Sequence, residues 1–130
     1  MNTYISNDIG QLLEDNGYGT QGSDLFIGDI PWDVDNGINI LEIAGPEQRK
    51  FYRLYEADIE ITVRNNSTQT ALEKITDIMD FLHLKGNFQA TSSYVYFIHA
   101  LSNREDVGRD ENKRKLYKVT FRVIYREDIS

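Results

Sequence analysis

Two stretches of the chain alternate between apolar and polar residues, which is the pattern of a β-strand with one buried face. The apolar positions are Tyr55, Ala57, Ile59, Ile61 and Val63 in the first stretch, and Tyr117, Val119, Phe121, Val123 and Tyr125 in the second. The polar positions include Glu56, Asp58 and Glu60 in the first, and Lys118, Arg122 and the following Arg126 in the second. Because opposite charges on facing strands stabilise a sheet, we expect these two strands to be neighbours.

The remaining apolar residues predict further helices and strands. Apolar positions at helical spacing predict helices at Tyr4–Asn16 and Gln69–Leu82. Shorter apolar runs predict strands at Asp24–Gly28, Ile38–Ile43 and Tyr94–Leu101. The last of these is apolar on both faces, which is typical of a central strand or of a strand that faces a partner subunit. The pattern as a whole predicts an α+β domain, with the second helix packed on the sheet.

Composition limits the class of protein. A chain of 130 residues fits a single domain, here taken as residues 1–130. It contains no cysteine, which excludes disulfides and thiolate metal sites. No apolar run approaches the roughly 20 residues that span a bilayer, so we expect neither a secreted nor a membrane-embedded protein. The net charge of −7 disfavours general attraction to nucleic acid.

Two motifs suggest ligand binding, and their context argues against both. Gly17–Gly22 matches the G-x-G-x-x-G pattern, but it follows a predicted helix and leads into a strand, whereas a dinucleotide loop follows a strand and opens a helix. The acidic cluster Asp33–Gly37 lacks the spacing of a calcium loop, since Gly37, Ile38 and Ala44 occupy its fifth, sixth and twelfth positions. We therefore predict no cofactor and no metal.

Two charged segments, Gly45–Arg53 and Ser102–Lys115, are predicted to be exposed loops. Basic residues flank aromatic ones in the first segment, as in platforms that stack single-stranded nucleic acid, but in an acidic protein a solvated loop or a protein contact is favoured. The carboxylates of the second segment alternate with arginines that would hold them ionised, which disfavours a general acid. With only two histidines in the chain as well, we predict that the protein is not an enzyme.

The order helix, three strands, helix, two strands is the basis of a family resemblance. One part of the chain that carries this resemblance is the segment Gly108–Asn112 followed by the strand Tyr117–Val123. Other parts are Leu25–Pro31, Ile38–Gly45 and the helix Ala71–His83. This arrangement resembles the minor capsid or tail terminator proteins of long-tailed bacteriophages. The resemblance implies an α+β fold with a mainly antiparallel sheet of about four to five strands and two helices packed on it.

The resemblance also implies a structural role without catalysis. Such proteins close as a ring, typically a hexamer, on the last ring of tail tube subunits, stop tube growth, and form the surface that joins the head connector. The expected partners are copies of this chain, the tail tube protein, and a head connector or stopper protein. The expected location is the head–tail junction of the virion, and the host cytoplasm during assembly. DNA would pass through the ring without specific binding, and no membrane partner is expected.

A closed ring uses a head-to-tail interface in which two different surfaces meet. Loops on a rigid scaffold commonly carry recognition, so the two charged segments are the candidate contact surfaces. The candidate residues are Arg49, Lys50, Phe51, Arg53, Arg104, Asp106, Arg109, Asp110, Lys113 and Arg114. Alternative interpretations are a head completion protein, a tail tube subunit, or a small ligand-binding domain.

Overall fold

The computed structural model describes residues 5–48 and 54–127 of the chain, which form two helices and a seven-stranded sheet. In chain order the elements are α1 (Ile5–Asp15), β1 (Leu25–Ile27), β2 (Gly37–Gln48), β3 (Tyr55–Asn65), α2 (Thr68–Leu82), β4 (Phe88–Gln89), β5 (Ser93–Ala100), β6 (Glu105–Arg109) and β7 (Lys115–Glu127). The sheet order is β1-β2-β3-β7-β5-β4, with β6 also paired to β7. The α+β class is confirmed, but the expected number of four to five strands was too low.

The two alternating stretches are β3 and β7, which lie side by side as predicted and run antiparallel. Their apolar positions face each other in register, for example Ile59 with Phe121 and Ile61 with Val119. All four of these side chains are fully buried. Burial of each such large apolar side chain stabilises the fold by roughly 1.5–3 kcal/mol, so this pair of strands forms the centre of the core.

Both helices add their apolar stripes to that core. In α1, Ile9 and Leu13 are four residues apart on one helical face, and both are fully buried. The helix ends before Gly17, whose positive φ of 81° is the left-handed conformation favoured after a helix C-terminus. The start of α2 is capped by Ser67, whose side-chain oxygen accepts a hydrogen bond from the Thr70 N–H at 3.3 Å.

The segment Ser102–Lys115, predicted to be an exposed loop, forms a β-hairpin instead. Its strand β6 pairs with the start of β7, and β5 pairs with the rest of the same edge, so β5 and β6 lie end to end along β7. The prediction was wrong because β6 has no apolar alternation: Glu105, Asp106 and Val107 are all exposed. Its strand conformation comes from backbone pairing with β7, which the residue pattern does not reveal.

Strand β2 extends further than predicted. The sequence Ala44-Gly45-Pro46 was expected to end it, but the strand continues to Gln48. The pairing with β3 shifts register between Ala44 and Glu47, so that Gly45 and Pro46 lie in an irregular part of the ladder. Proline has no backbone N–H to donate to a regular ladder, and it is tolerated here because the irregular position does not require that hydrogen bond. The remainder of the predicted loop, 49–53, lies outside the described residues.

Candidate functional site

One corner of the molecule brings together several of the predicted contact residues, and it is built on the tip of the β6–β7 hairpin. Asp110 closes this tip. Its backbone N–H donates to the Arg114 carbonyl at 3.0 Å, and its Oδ1 accepts the backbone N–H groups of Asn112 at 3.0 Å and Arg114 at 2.9 Å. Lys113 takes the positive φ of 63° that the tight turn requires.

Arg114 joins this tip to the loop before β2. Its side chain is only 2% exposed, and its Nε donates to Asp110 Oδ2 at 2.8 Å. Its Nη1 donates to the backbone carbonyls of Trp32 at 2.7 Å and Val34 at 3.1 Å. A buried guanidinium is destabilising unless its N–H groups are bonded, and here both the carboxylate and the loop carbonyls meet that requirement.

A second arginine, at the end of β3, holds the same loop. Arg64 Nη1 donates to the carbonyls of Pro31 at 3.0 Å and Val34 at 3.2 Å. Its Nε lies 3.6 Å from Asp110 Oδ2. Burial and the nearby charge of Arg114 both lower the pKa of Arg64. We call the assembly of Arg64, Asp110, Arg114 and the loop Pro31–Asp35 the arginine corner.

Further contacts tie the hairpin to its surroundings. Arg109 donates from Nη2 to Thr68 Oγ1 at 2.6 Å, which attaches β6 to the first residue of α2. Asp106 pairs with Lys115, whose Nζ lies 2.6 Å from Oδ1. These contacts lie within one chain, so they give Arg109 and Asp106 a role in fixing the hairpin.

The predicted contact residues differ in accessibility and in their internal bonds. In the second charged segment, Arg104, Asp106, Arg109 and Lys113 are exposed, Asp110 is half-buried and Arg114 is buried. Of the exposed four, Asp106 and Arg109 also make the internal bonds given above. In the first segment, Arg49, Lys50, Phe51 and Arg53 lie outside the described residues.

The carboxylates of this site are shifted towards the ionised form. Hydrogen bonds from the Lys115 side chain and the Gly108 backbone N–H lower the pKa of Asp106. Desolvation raises the pKa of Asp110, but hydrogen bonds from the backbone and side chain of Arg114 outweigh it, and the net shift is also downward. A general acid at neutral pH needs the opposite shift, so these groups are suited to ion pairing.

Clefts of about 260 and 320 Å³ lie away from the arginine corner, and a cleft of about 300 Å³ borders it at Arg64. They lie at or near the lower limit of small-molecule pockets, which span roughly 300–1,000 Å³. In residues 5–48 and 54–127, no three His, Asp or Glu side chains are grouped so that they could hold a metal ion. Neither α1 nor α2 is long and apolar enough to cross a lipid bilayer.

Sequence reasoning did not identify Arg64 or Trp32 as part of this site. Arg64 occupies an outward position of the alternating strand, where an ordinary solvated arginine would also lie. Trp32 follows the strand-breaking Pro31 and belongs to no periodic pattern. The spatial approach of this loop to the hairpin tip, 82 positions apart between Trp32 and Arg114, has no local signal in the sequence.

The chain is similar to a known protein family and to solved structures. Residues 12–127 match the family described as "Bacteriophage tail terminator protein". A chain in a solved structure described as "Virion of native gene transfer agent (GTA) particle" is similar with a TM-score of 0.61 and 14% sequence identity, over 82% of this chain and 81% of that chain. At this identity the likeness concerns the fold. No curated protein matches the sequence.

Proposed function

Because the chain belongs to the bacteriophage tail terminator family, we propose that it closes as a ring on the last ring of tail tube subunits, ends tube growth, and forms the surface that joins the head connector. The chain is a structural protein of the phage tail, and its family is not a family of enzymes. The observation that carries the proposal is the match over residues 12–127, which includes every strand and the whole of α2.

The fold supports this role by offering rigid, charged surfaces. A head-to-tail ring needs two different surfaces on each subunit. We propose that the hairpin supplies one of them, through the exposed Arg104 and Lys113, with Asp106, Arg109, Asp110 and Arg114 holding it in shape. We propose that the segment with Arg49, Lys50, Phe51 and Arg53 supplies the other. The ring would be a hexamer that assembles in the host cytoplasm.

The charge balance supports passage of DNA through such a ring. Binding to DNA strengthens with the number of phosphates that a protein neutralises. A ring of subunits with a net charge of −7 each would offer little general attraction to a phosphate backbone. The proposal therefore includes DNA as a passenger and excludes it as a specific ligand.

The test is to combine the purified chain with the tail tube protein of the same phage and to observe the products by native mass spectrometry and negative-stain microscopy. Single rings, alone or at tube ends, together with shortened tubes, are the expected result. Long filaments of this chain by itself would identify a tube subunit. Binding to the head connector with no effect on tubes would identify a head completion protein.

Charge reversal then locates the contact. Arg104→Glu and Lys113→Glu are expected to reduce ring formation or tube capping, because each replaces an exposed cation on the proposed surface. Lys74→Glu, half-exposed on α2, makes the same change in net charge away from the hairpin and serves as the control. Equal behaviour of all three variants would show that the hairpin is not the contact surface.

A further inference from the structure

The arginine corner presents one exposed aromatic side chain. Trp32 is the single tryptophan of the chain, and at 66% exposure it is the most exposed large hydrophobic side chain among the described residues. A single exposed apolar side chain is ordinary on a protein surface. Trp32 differs from the other exposed apolar side chains because the backbone of its loop is bonded to two arginine side chains.

Two arginines, Arg64 and Arg114, hold the backbone of the loop that carries Trp32. The carbonyls on either side of the ring, those of Pro31 and Val34, accept hydrogen bonds from Arg64, and the carbonyl of Trp32 itself accepts one from Arg114. The guanidinium carbon of Arg114 also lies 5.6 Å from the centre of the Trp32 ring, within the range of a cation–π contact. The ring is therefore exposed on a segment whose backbone carbonyls are bonded at three of four consecutive residues, Pro31, Trp32 and Val34.

Such a fixed, exposed tryptophan has the properties of a binding anchor. Ordering of loops and side chains opposes association, and a segment that is ordered beforehand avoids much of that cost. Tryptophan is also enriched among the residues whose truncation weakens interfaces most. The buried arginines thus stabilise a shape that has its apolar surface facing outward.

Charges around the ring indicate the chemistry of the partner. Asp29, Asp33 and Asp35 are exposed and lie within three residues of Trp32 along the chain, whereas the arginines that hold the loop are buried or half-buried. Asp35 also lies 3.5 Å from Arg114 Nη1, which leaves Asp29 and Asp33 as the acidic side chains that face a partner. Electrostatic complementarity requires positive charge on the opposite surface. The same acidic rim repels phosphate backbones and anionic lipid, so the partner surface is protein.

We propose that Trp32 anchors a protein–protein contact by inserting into an apolar pocket that is bordered by lysine or arginine side chains on an adjoining tail subunit. This inference rests on the proposed function, because assembly at the tube end supplies the adjoining subunit. It names a contact residue outside both charged segments.

The lone tryptophan allows a direct test on the unmodified chain. Provided that a tail tube protein without tryptophan is used, or one whose tryptophans are replaced by phenylalanine, the emission reports Trp32 alone. On assembly, in rings or on tube ends, we expect a blue shift and a several-fold fall in quenching by acrylamide. Assemblies that form while Trp32 emission and quenching stay unchanged would overturn the inference and leave the proposed function intact. Failure to assemble at all would instead contradict the proposed function.

Variants supply a second measurement. Trp32→Ala is expected to weaken assembly roughly 30-fold, the fold-change that corresponds to a hot-spot loss of about 2 kcal/mol. Leu84→Ala, at a side chain of similar 63% exposure away from the corner, is the matched control and should assemble normally. Thermal unfolding of each variant checks that the fold is retained. Asp33→Lys should also weaken assembly, most strongly at low salt, and stronger assembly by that variant would contradict a cationic partner.

Discussion

Two arginine–carboxylate pairs in this protein have similar donor–acceptor distances and very different surroundings. Arg114 donates to Asp110 at 2.8 Å in the arginine corner. Arg122 donates to Asp58 at 2.9 and 3.1 Å across the outer face of the sheet. Arg114 is 2% exposed and Arg122 is 40% exposed. The two pairs therefore show how much burial changes the contribution of an ion pair to stability.

The difference lies in what replaces water around each guanidinium. Arg122 faces Asp58 directly across the β3–β7 ladder and remains in contact with solvent. Arg114 has lost its water and has gained the carbonyls of Trp32 and Val34 in exchange. Removing the exposed arginine lets water hydrate Asp58, whereas removing the buried one takes a hydrogen bond from Asp110, from the Trp32 carbonyl and from the Val34 carbonyl. Val34 keeps its bond from Arg64, and Asp110 keeps its backbone bonds. Breaking the Arg114–Asp110 pair should therefore lower the free energy of unfolding more than breaking the Arg122–Asp58 pair.

The largest expected effect is that of Arg114→Met. Methionine keeps much of the side-chain volume but removes the hydrogen bonds to Asp110, Trp32 and Val34. Loss of one partner from a buried pair costs about 3–5 kcal/mol, so we expect a reduction of that size in the free energy of unfolding, measured by urea denaturation. The loop should also loosen, with faster amide hydrogen exchange at Pro31–Asp35 than in the wild-type protein.

The matched control is Arg104→Met, which makes the same chemical change at an exposed position of the same hairpin segment. Surface substitutions of this kind alter stability by about 0.5 kcal/mol or less. Comparable losses in the two variants would show that the burial of Arg114 does not decide the outcome.

The same contrast explains which features the sequence could predict. Alternation along β3 and β7 predicted both strands, and the opposite charges on their outer faces predicted that they are neighbours. The register was left open, and the structure places Asp58 opposite Arg122. Arg114 belongs to a run of charged residues, and the sequence of such a run does not reveal which of its side chains are buried. Its burial depends on the loop at Trp32, which reaches it only through the tertiary fold.

The extra strands have a related explanation. Strand β6 consists of exposed residues apart from the half-buried Gly108, and β4 is only two residues long, so neither leaves a hydrophobic pattern. Both exist because a neighbouring strand offers unpaired backbone groups. Residue patterns report burial of side chains. For that reason they predicted the central strands and the edge strand β1, whose Leu25 is buried, and missed β4 and β6.

Loss of the Asp110 charge, by acid or by substitution, is expected to have an intermediate effect on the free energy of unfolding. The pKa of Asp110 is lowered in the folded protein, so its contribution to stability is present above the unfolded value of about 3.9 and is lost as the pH falls through the folded value. Asp110→Asn removes this contribution at every pH. The difference in unfolding free energy between wild type and Asp110→Asn should therefore be largest near neutrality and should shrink below about pH 4.

Asp33→Asn, which removes an exposed carboxylate of the neighbouring loop, is the control for the general effect of losing one negative charge. The loss on Asp110→Asn should be smaller than that on Arg114→Met, because Arg114 keeps its bonds to the two loop carbonyls. A difference between wild type and Asp110→Asn that grows in acid would mean that the ion pair does not lower the pKa of Asp110.

The smallest effect is expected at the exposed pair, in a double-mutant cycle with Asp58→Ala and Arg122→Ala. Because Arg122 is 40% exposed and Asp58 is 19% exposed, solvent screens their attraction, and the coupling energy should be about 0.2–1 kcal/mol. Added salt should reduce it further, whereas the loss on Arg114→Met should change little with salt, since buried pairs are screened less. A coupling energy at Asp58–Arg122 as large as the loss on Arg114→Met would mean that burial does not set the strength of the two pairs in this fold.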